Sequence, residues 1–167
     1  QLGGSTAPVT ISWSGVDVGP SGLKGYVLQQ SIAGAAFTGV ALPVATNTSI
    51  TLDLSFGTLY QFRVRSVDRA GNSSAFATGD VFRNVPRQET GLTYSTTPGW
   101  AAVAQTGSFG GNVRRADALN ATMSVGFVGK KIAWVGTMCN SCGLAEVSID
   151  GTVVATVDLY RATTRLR

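Results

Sequence analysis

Ser49-Ile50-Thr51-Leu52-Asp53-Leu54, and shortly after it Tyr60-Gln61-Phe62-Arg63-Val64-Arg65, decide the fold class of this chain. Both runs alternate apolar and polar residues with a period of two, which places successive side chains on opposite faces of a strand. Ile50, Leu52 and Leu54 therefore share one face, as do Tyr60, Phe62 and Val64, while Arg63 and Arg65 point outward. Working outward, Val9-Thr10-Ile11-Ser12-Trp13 alternates in the same way, with Val9, Ile11 and Trp13 inward. Tyr26-Val27-Leu28-Gln29-Gln30 is the next strand, with Tyr26 and Leu28 on one face. Residues 14–25 carry four glycines and a proline and are expected to form a loop. Asp68-Arg69-Ala70-Gly71-Asn72 is a turn, since Gly and Asn tolerate the left-handed conformation. Short strands at this spacing, with no helical period, predict a β-sandwich.

The alternation lapses at Val85-Pro86-Arg87-Gln88-Glu89. Residues 85–90 are therefore expected to link a domain at 1–84 to a second at 91–167. In the second half, residues 90–100 offer one short strand and a Pro98-Gly99 turn. The Gly-rich segment 108–112 is a loop, because neither a following helix nor a Lys-Ser/Thr pair completes a phosphate-binding motif. Residues 121–128 predict a strand with Ala121, Met123, Val125 and Phe127 on one face. Residues 130–136 predict another, with Trp134 in the core. Residues 144–150 place Ala145, Val147 and Ile149 inward, with Glu146 and Ser148 outward. Asp150-Gly151 is a two-residue hairpin turn of type I′. Val153, Ala155, Val157 and Leu159 are expected inward on the returning strand.

Three separated motifs in the first half carry a family resemblance. The Trp13 strand, the segment from Leu54 to Val64, and Val67-Asp68-Arg69-Ala70-Gly71-Asn72-Ser73 together resemble a bacterial fibronectin type III domain. The resemblance implies that Trp13 belongs to the core. It also implies that Tyr60 forms a tyrosine corner, its hydroxyl bonding back to the backbone near Gly57. The second half is similar to a jelly-roll-like module of secreted bacterial proteins, whose relatives include carbohydrate-binding modules. That likeness rests on Tyr94 and Trp100, on the segments opening at Phe109 and Val125, on Gly143 to Gly151, and on Val157-Asp158-Leu159-Tyr160. In that module further strands follow the position of Tyr160, so this sandwich is expected to be incomplete. The expected architecture is all-β: two consecutive antiparallel β-sandwiches, the first fibronectin type III or immunoglobulin-like, the second jelly-roll-like and incomplete.

Composition narrows the chemistry. Charged residues make up 13% of the 167 residues, against roughly 25% in an ordinary soluble domain. The net charge is +4, but the cations are scattered rather than gathered into a basic stripe with interleaved aromatics, so no nucleic-acid partner is expected. No apolar run is long enough for a transmembrane helix, and no membrane insertion is expected. Histidine is absent. That removes Ser-His and Cys-His nucleophile pairs together with the commonest metal ligand.

The residues left to consider are few. Cys139-Asn140-Ser141-Cys142 lies between strands, so it lacks the helix N-terminus that activates a redox CxxC, and no further Cys or His completes a zinc site. A short structural disulfide between Cys139 and Cys142 is expected, which points to an oxidising compartment. Glu146 and Asp158 could imitate a glycosidase pair, which needs two carboxyls about 5 to 9 Å apart across a cleft, but ordinary surface charge is the expectation. Asp117 and Asp150 lie in no clustered Asp/Asn loop of the kind that holds calcium. No catalytic residue, metal or cofactor is assigned. Sugar-binding faces use exposed aromatic platforms, which makes Tyr94, Trp100, Phe109 and Tyr160 the candidate ligand contacts. The expected function is a non-catalytic binding or spacer module, extracellular or at the cell surface, with a polysaccharide or a neighbouring protein subunit as partner. The rival expectation is a structural subunit of a fibre or surface layer, self-associating through the open edge of the second sandwich in donor-strand fashion.

Overall fold

A computed structural model of the chain describes residues 4–15 and 19–166. Apart from two single-turn 3-10 helices, every regular element in them is a β-strand, so the fold is all-β. The chain divides into two compact units that meet in sequence at Pro86 and Arg87.

The first unit, Ser5–Pro86, contains six strands. They are β1 (Thr6–Ser12), β2 (Leu23–Ile32), β3 (Thr38–Val40), β4 (Ser49–Ser55), β5 (Tyr60–Asp68) and β6 (Ala77–Thr78). β1 pairs antiparallel with β4, setting Val9 opposite Leu52 and Ile11 opposite Ile50. The other four form a sheet in the order β3-β2-β5-β6, with Leu28 opposite both Val40 and Val64. Leu28, Phe62 and Tyr60 from this sheet and Leu54 from β4 form one buried cluster. Val9, Ile11, Trp13, Ile50 and Leu52 pack against it from the other side. The apolar faces foreseen from the alternation thus meet each other, and the two sheets pack face to face. Burying side chains of this size stabilises the unit by about 1.5–3 kcal/mol each. The rings of Tyr60, Phe62 and Phe82 stand 6.1 to 6.4 Å apart at the centre of the cluster.

Two local features position these strands. Tyr60 Oη accepts a hydrogen bond from the Ser55 backbone N–H at 3.1 Å, which ties the end of β4 to the start of β5. At the far end of β5, the Asp68 carboxylate accepts from both the backbone N–H and the side-chain amide of Asn72, at 2.8 Å each. This is the expected turn, and Gly71 supplies its positive φ of 93°. The loop foreseen over 14–25 is shorter than expected. Residues 16–18 lie outside the described residues, and β2 has already begun at Leu23. Gly25 is a strand residue, buried where the Ala45 carbonyl accepts from Tyr26 N–H at 2.7 Å.

The second unit, from Arg87 onward, is built differently. Its strands pair only in twos: β7 (Thr93–Tyr94) with β10 (Met123–Ser124), and β8 (Ala101–Ala104) with β9 (Asn112–Arg115). β11 (Thr137–Met138) pairs with β14 (Arg165–Leu166), and β12 (Leu144–Ile149) with β13 (Thr152–Asp158). Among the described residues every buried hydrophobic side chain lies in the first unit.

Several strand expectations fail here. Residues 125–136 join no sheet, although 121–128 and 130–136 alternate as strands should. Alternation selects a face, but a strand also needs a neighbour to pair its backbone groups. None supplies one to this segment. Trp134, expected in the core, is 43% exposed, and Ile132 and Phe127 are exposed with it. The returning strand is also corrected. Ser148 pairs with Val153 and Val147 with Ala155, so Val154 is an extra, bulged residue. Cross-strand partners share a face, so Val153 falls with Ser148 on the outer face, not inward with Ala155 and Val157.

Candidate functional site

The longest ladder of the second unit is the β12–β13 hairpin, and its turn follows from the sequence. Asp150 and Gly151 have φ of 50° and 80°, the double positive that a type I′ turn requires. The ladder puts Leu144, Glu146, Ser148, Val153, Thr156 and Asp158 on one face. On that face Leu144 is 73% exposed at the open end of the hairpin, and Val153 is exposed near the turn, followed by the exposed, bulged Val154. From Thr152 to Val157 the strand carries no charge and no proline, the devices that usually block pairing at a sheet edge. Among the described residues the hairpin is a two-stranded sheet with no further strand on either outer edge.

The cysteines brace the end of this hairpin. Cys139 and Cys142 form a disulfide, as expected. Cys139 N–H donates to the Leu159 carbonyl at 3.1 Å, and Arg161 N–H donates back to the Cys139 carbonyl at 2.9 Å. Tyr160 sits between those two bonds with its side chain 57% exposed. The disulfide loop therefore anchors the chain leaving β13, and both sulfurs are spent in the bond.

Of the four candidate aromatics, the structure brings Tyr94 and Trp100 together. Their rings lie 5.3 Å apart at 51°, and the Arg114 guanidinium sits over the Tyr94 ring at 5.3 Å. Tyr94 donates its hydroxyl proton to the Glu89 carbonyl at 2.7 Å. Burial pushes the Tyr94 pKa up, with Arg114 opposing and Glu89 adding to the shift. Trp100 Nε1 and Arg114 Nε are buried donors without a hydrogen-bond partner. Phe109 occupies the 3-10 turn Phe109–Gly111 and is half-buried. Tyr94 and Trp100 thus spend ring surface on each other, whereas Tyr160 presents its ring to solvent.

No protein-family model and no curated protein matches the chain. Its chemistry is therefore read from its own side chains.

Glu146 lies opposite Thr156, so Asp158 is its diagonal neighbour on the same face, a relation that sets Cβ atoms about 7–8 Å apart. Both side chains are exposed, and Asp158 accepts from the Tyr160 N–H at 2.8 Å. Neither carries a burial or a charged partner that would fit it for acid–base work. Asp117 is paired with Arg115 at 2.6 Å. Among the described residues no three Cys, Asp or Glu side chains gather as a metal site would require.

Sequence reasoning missed two participants. Arg114 was counted among the scattered cations, and only the fold brings its guanidinium to the Tyr94 ring. The Val154 bulge left a weak trace, because consecutive Thr152, Val153 and Val154 break the alternation that the rest of β13 keeps.

Proposed function

We propose that this chain is a non-catalytic binding and spacing module of an extracellular or cell-surface protein. The first unit, which resembles fibronectin type III, serves as the rigid spacer. The second resembles a jelly-roll module and engages a strand of a neighbouring protein subunit. One observation carries this reading: among the described residues the β12–β13 hairpin has no further strand on either edge, and it combines a charge-free run from Thr152 to Val157 with exposed Leu144, Val153 and Val154. Backbone groups along an open edge gain most from another strand, and apolar side chains on the same strands gain from what that strand brings with it. Repeated along an assembly, the contact would build a fibre or surface layer.

Sedimentation velocity across a concentration series tests it. The wild-type chain is expected to associate at roughly micromolar concentration, and Val153→Lys to stay monomeric because a lysine on an edge strand blocks pairing. A wild-type chain that remains monomeric at every concentration, yet melts cooperatively, overturns the reading.

A second reading, contact with a polysaccharide, draws on the Tyr94–Trp100 pair and on the two unpartnered donors beside it, Trp100 Nε1 and Arg114 Nε. Sugar hydroxyls are the acceptors such donors need. Glycan-array binding lost in Trp100→Ala, with no association of the wild-type chain, would favour it over strand capture.

A further inference from the structure

The outer face of the four-stranded sheet in the first unit carries a cation–aromatic stack. Arg63 and Arg65 sit two apart on β5, so their side chains leave the same face, about 7 Å apart along the strand. The Arg63 guanidinium lies 4.1 Å over the Phe37 ring and 4.2 Å over the Phe76 ring. Arg65 lies 4.9 Å over Phe76. Phe37 precedes β3 and Phe76 precedes β6, so residues from both edges of the sheet fold over its centre. Arg63 Nε donates to Gln29 Oε1 at 2.8 Å, which fixes its rotation.

Among the described residues no ion pair is formed by either arginine. The ion pair formed among the described residues is Arg115 with Asp117, far along the chain, and neither Arg63 nor Arg65 has a carboxylate within ion-pair distance. Arg65 Nε is a buried donor with no hydrogen-bond partner. Stacking uses the flat faces of a guanidinium and leaves its N–H groups, which lie in the plane, directed away from the rings. The result is two held cations whose side-chain entropy is already spent, Arg63 using one donor of its fork on Gln29 and keeping its terminal N–H groups. Amide groups flank them: Gln61 Nε2 donates to the Gly79 carbonyl at 3.0 Å, leaving its oxygen available, and Gln29 keeps its amide nitrogen.

We propose that this face is a binding site for an acidic polysaccharide, its carboxylate or sulfate groups bridged by Arg63 and Arg65. Oxyanions match the planar fork bidentately, and side-chain amides match sugar hydroxyls. An acidic peptide is the less suited partner, because a peptide gains most from a free strand edge, whereas this site offers the side chains of a sheet face. The site is independent of strand capture by the second unit.

Affinity electrophoresis and calorimetry at low salt test it, with polygalacturonate, dextran sulfate, poly-glutamate and neutral dextran as probes. Binding to polygalacturonate or dextran sulfate, and not to neutral dextran, is expected, the preferred one naming the oxyanion. Loss of one arginine should weaken binding roughly tenfold or more, the scale of a hydrogen bond to a charged group. Arg63→Gln/Arg65→Gln should therefore abolish it. Arg83→Gln, an exposed cation elsewhere in the unit, should leave it unchanged. Should the double glutamine variant fail to fold, Arg63→Lys/Arg65→Lys decides, since it keeps the charge and loses the fork. Wild-type affinity in that lysine variant, an equal loss in Arg83→Gln, absence of binding to either acidic glycan, or equal binding to poly-glutamate would each overturn the proposal.

Discussion

The backbone N–H of Ser55 donates to the hydroxyl of Tyr60 across 3.1 Å, and this bond closes the turn between β4 and β5. Tyr60 is 6% exposed, so its ring is held by the core while its oxygen reaches the adjoining backbone. Tyr60→Phe keeps the ring and removes the acceptor, leaving Ser55 N–H unanswered. The expected cost is about 1–2 kcal/mol, the penalty for stranding one partly buried donor. Urea titration should show a lower midpoint with an unchanged slope, because the surface exposed on unfolding stays the same.

Gly25 lies where a second stretch of backbone crosses β2. A Cβ built on it would stand 2.8 Å from both the Cβ and the carbonyl oxygen of Ala45. The oxygen cannot retreat without lengthening its bond from Tyr26 N–H. Gly25→Ala is expected to destabilise the first unit by about 1–3 kcal/mol, as overpacking a close contact does. Gly39 in the same sheet meets nothing within 4 Å, so Gly39→Ala should be nearly silent in the same thermal melt.

The contrast between these two glycines marks what the sequence could disclose. The alternation in β1, β2, β4 and β5 foretold which residues would meet, because two sheets with complementary apolar faces leave little freedom once both are present. Ile50, Leu52 and Leu54 went where their period put them. Gly25 was hidden, since a glycine at a loop boundary and a glycine under a crossing turn look alike in one dimension. The segment 125–136 misled for the opposite reason. Val125, Phe127, Ile132 and Trp134 alternate as well as β5 does, but pairing is a property of two segments, and sequence alternation describes one. The candidate site divides along the same line. The disulfide and the Asp150-Gly151 turn are local and were legible. The approach of Arg114 to Tyr94 and the stack of Arg63 on Phe37 and Phe76 join residues far apart in the chain, and no spacing rule encodes them.

Asp68 makes the turn after β5 sensitive to acid. Its pKa is lowered below 3.8, chiefly by the hydrogen bond from the Asn72 side chain; desolvation, the next effect in size, opposes it, and Ser21 Oγ and the backbone N–H groups of Asn72 and Gly71 add to the lowering. The unfolded chain therefore binds the proton more readily than the folded one, so stability rises with pH across this window. The contribution is complete above 3.8 and disappears as pH falls through the lowered folded value. Asp68→Asn should melt at a lower temperature than wild type at about pH 7, and the gap should narrow as pH falls below 3.8 and through the lowered folded value. A gap of equal size across that range would assign the effect to shape rather than charge.

Phe62 and Trp134 are packed very differently. Phe62 is 6% exposed and touches the rings of Tyr60 and Phe82, whereas Trp134 is 43% exposed on a segment outside every sheet. Phe62→Ala opens a cavity in a core that cannot collapse around it, at an expected cost of about 3–5 kcal/mol. Trp134→Ala removes contacts on one side of a ring that solvent already reaches, and should cost less than about 1 kcal/mol. Amide hydrogen exchange separates the two outcomes by place as well as by size. Phe62→Ala should speed exchange throughout β2 and β5, because those amides open with the core they flank. Trp134→Ala should leave β2 and β5 protected. The two results together would establish that the first unit holds its fold on its own core.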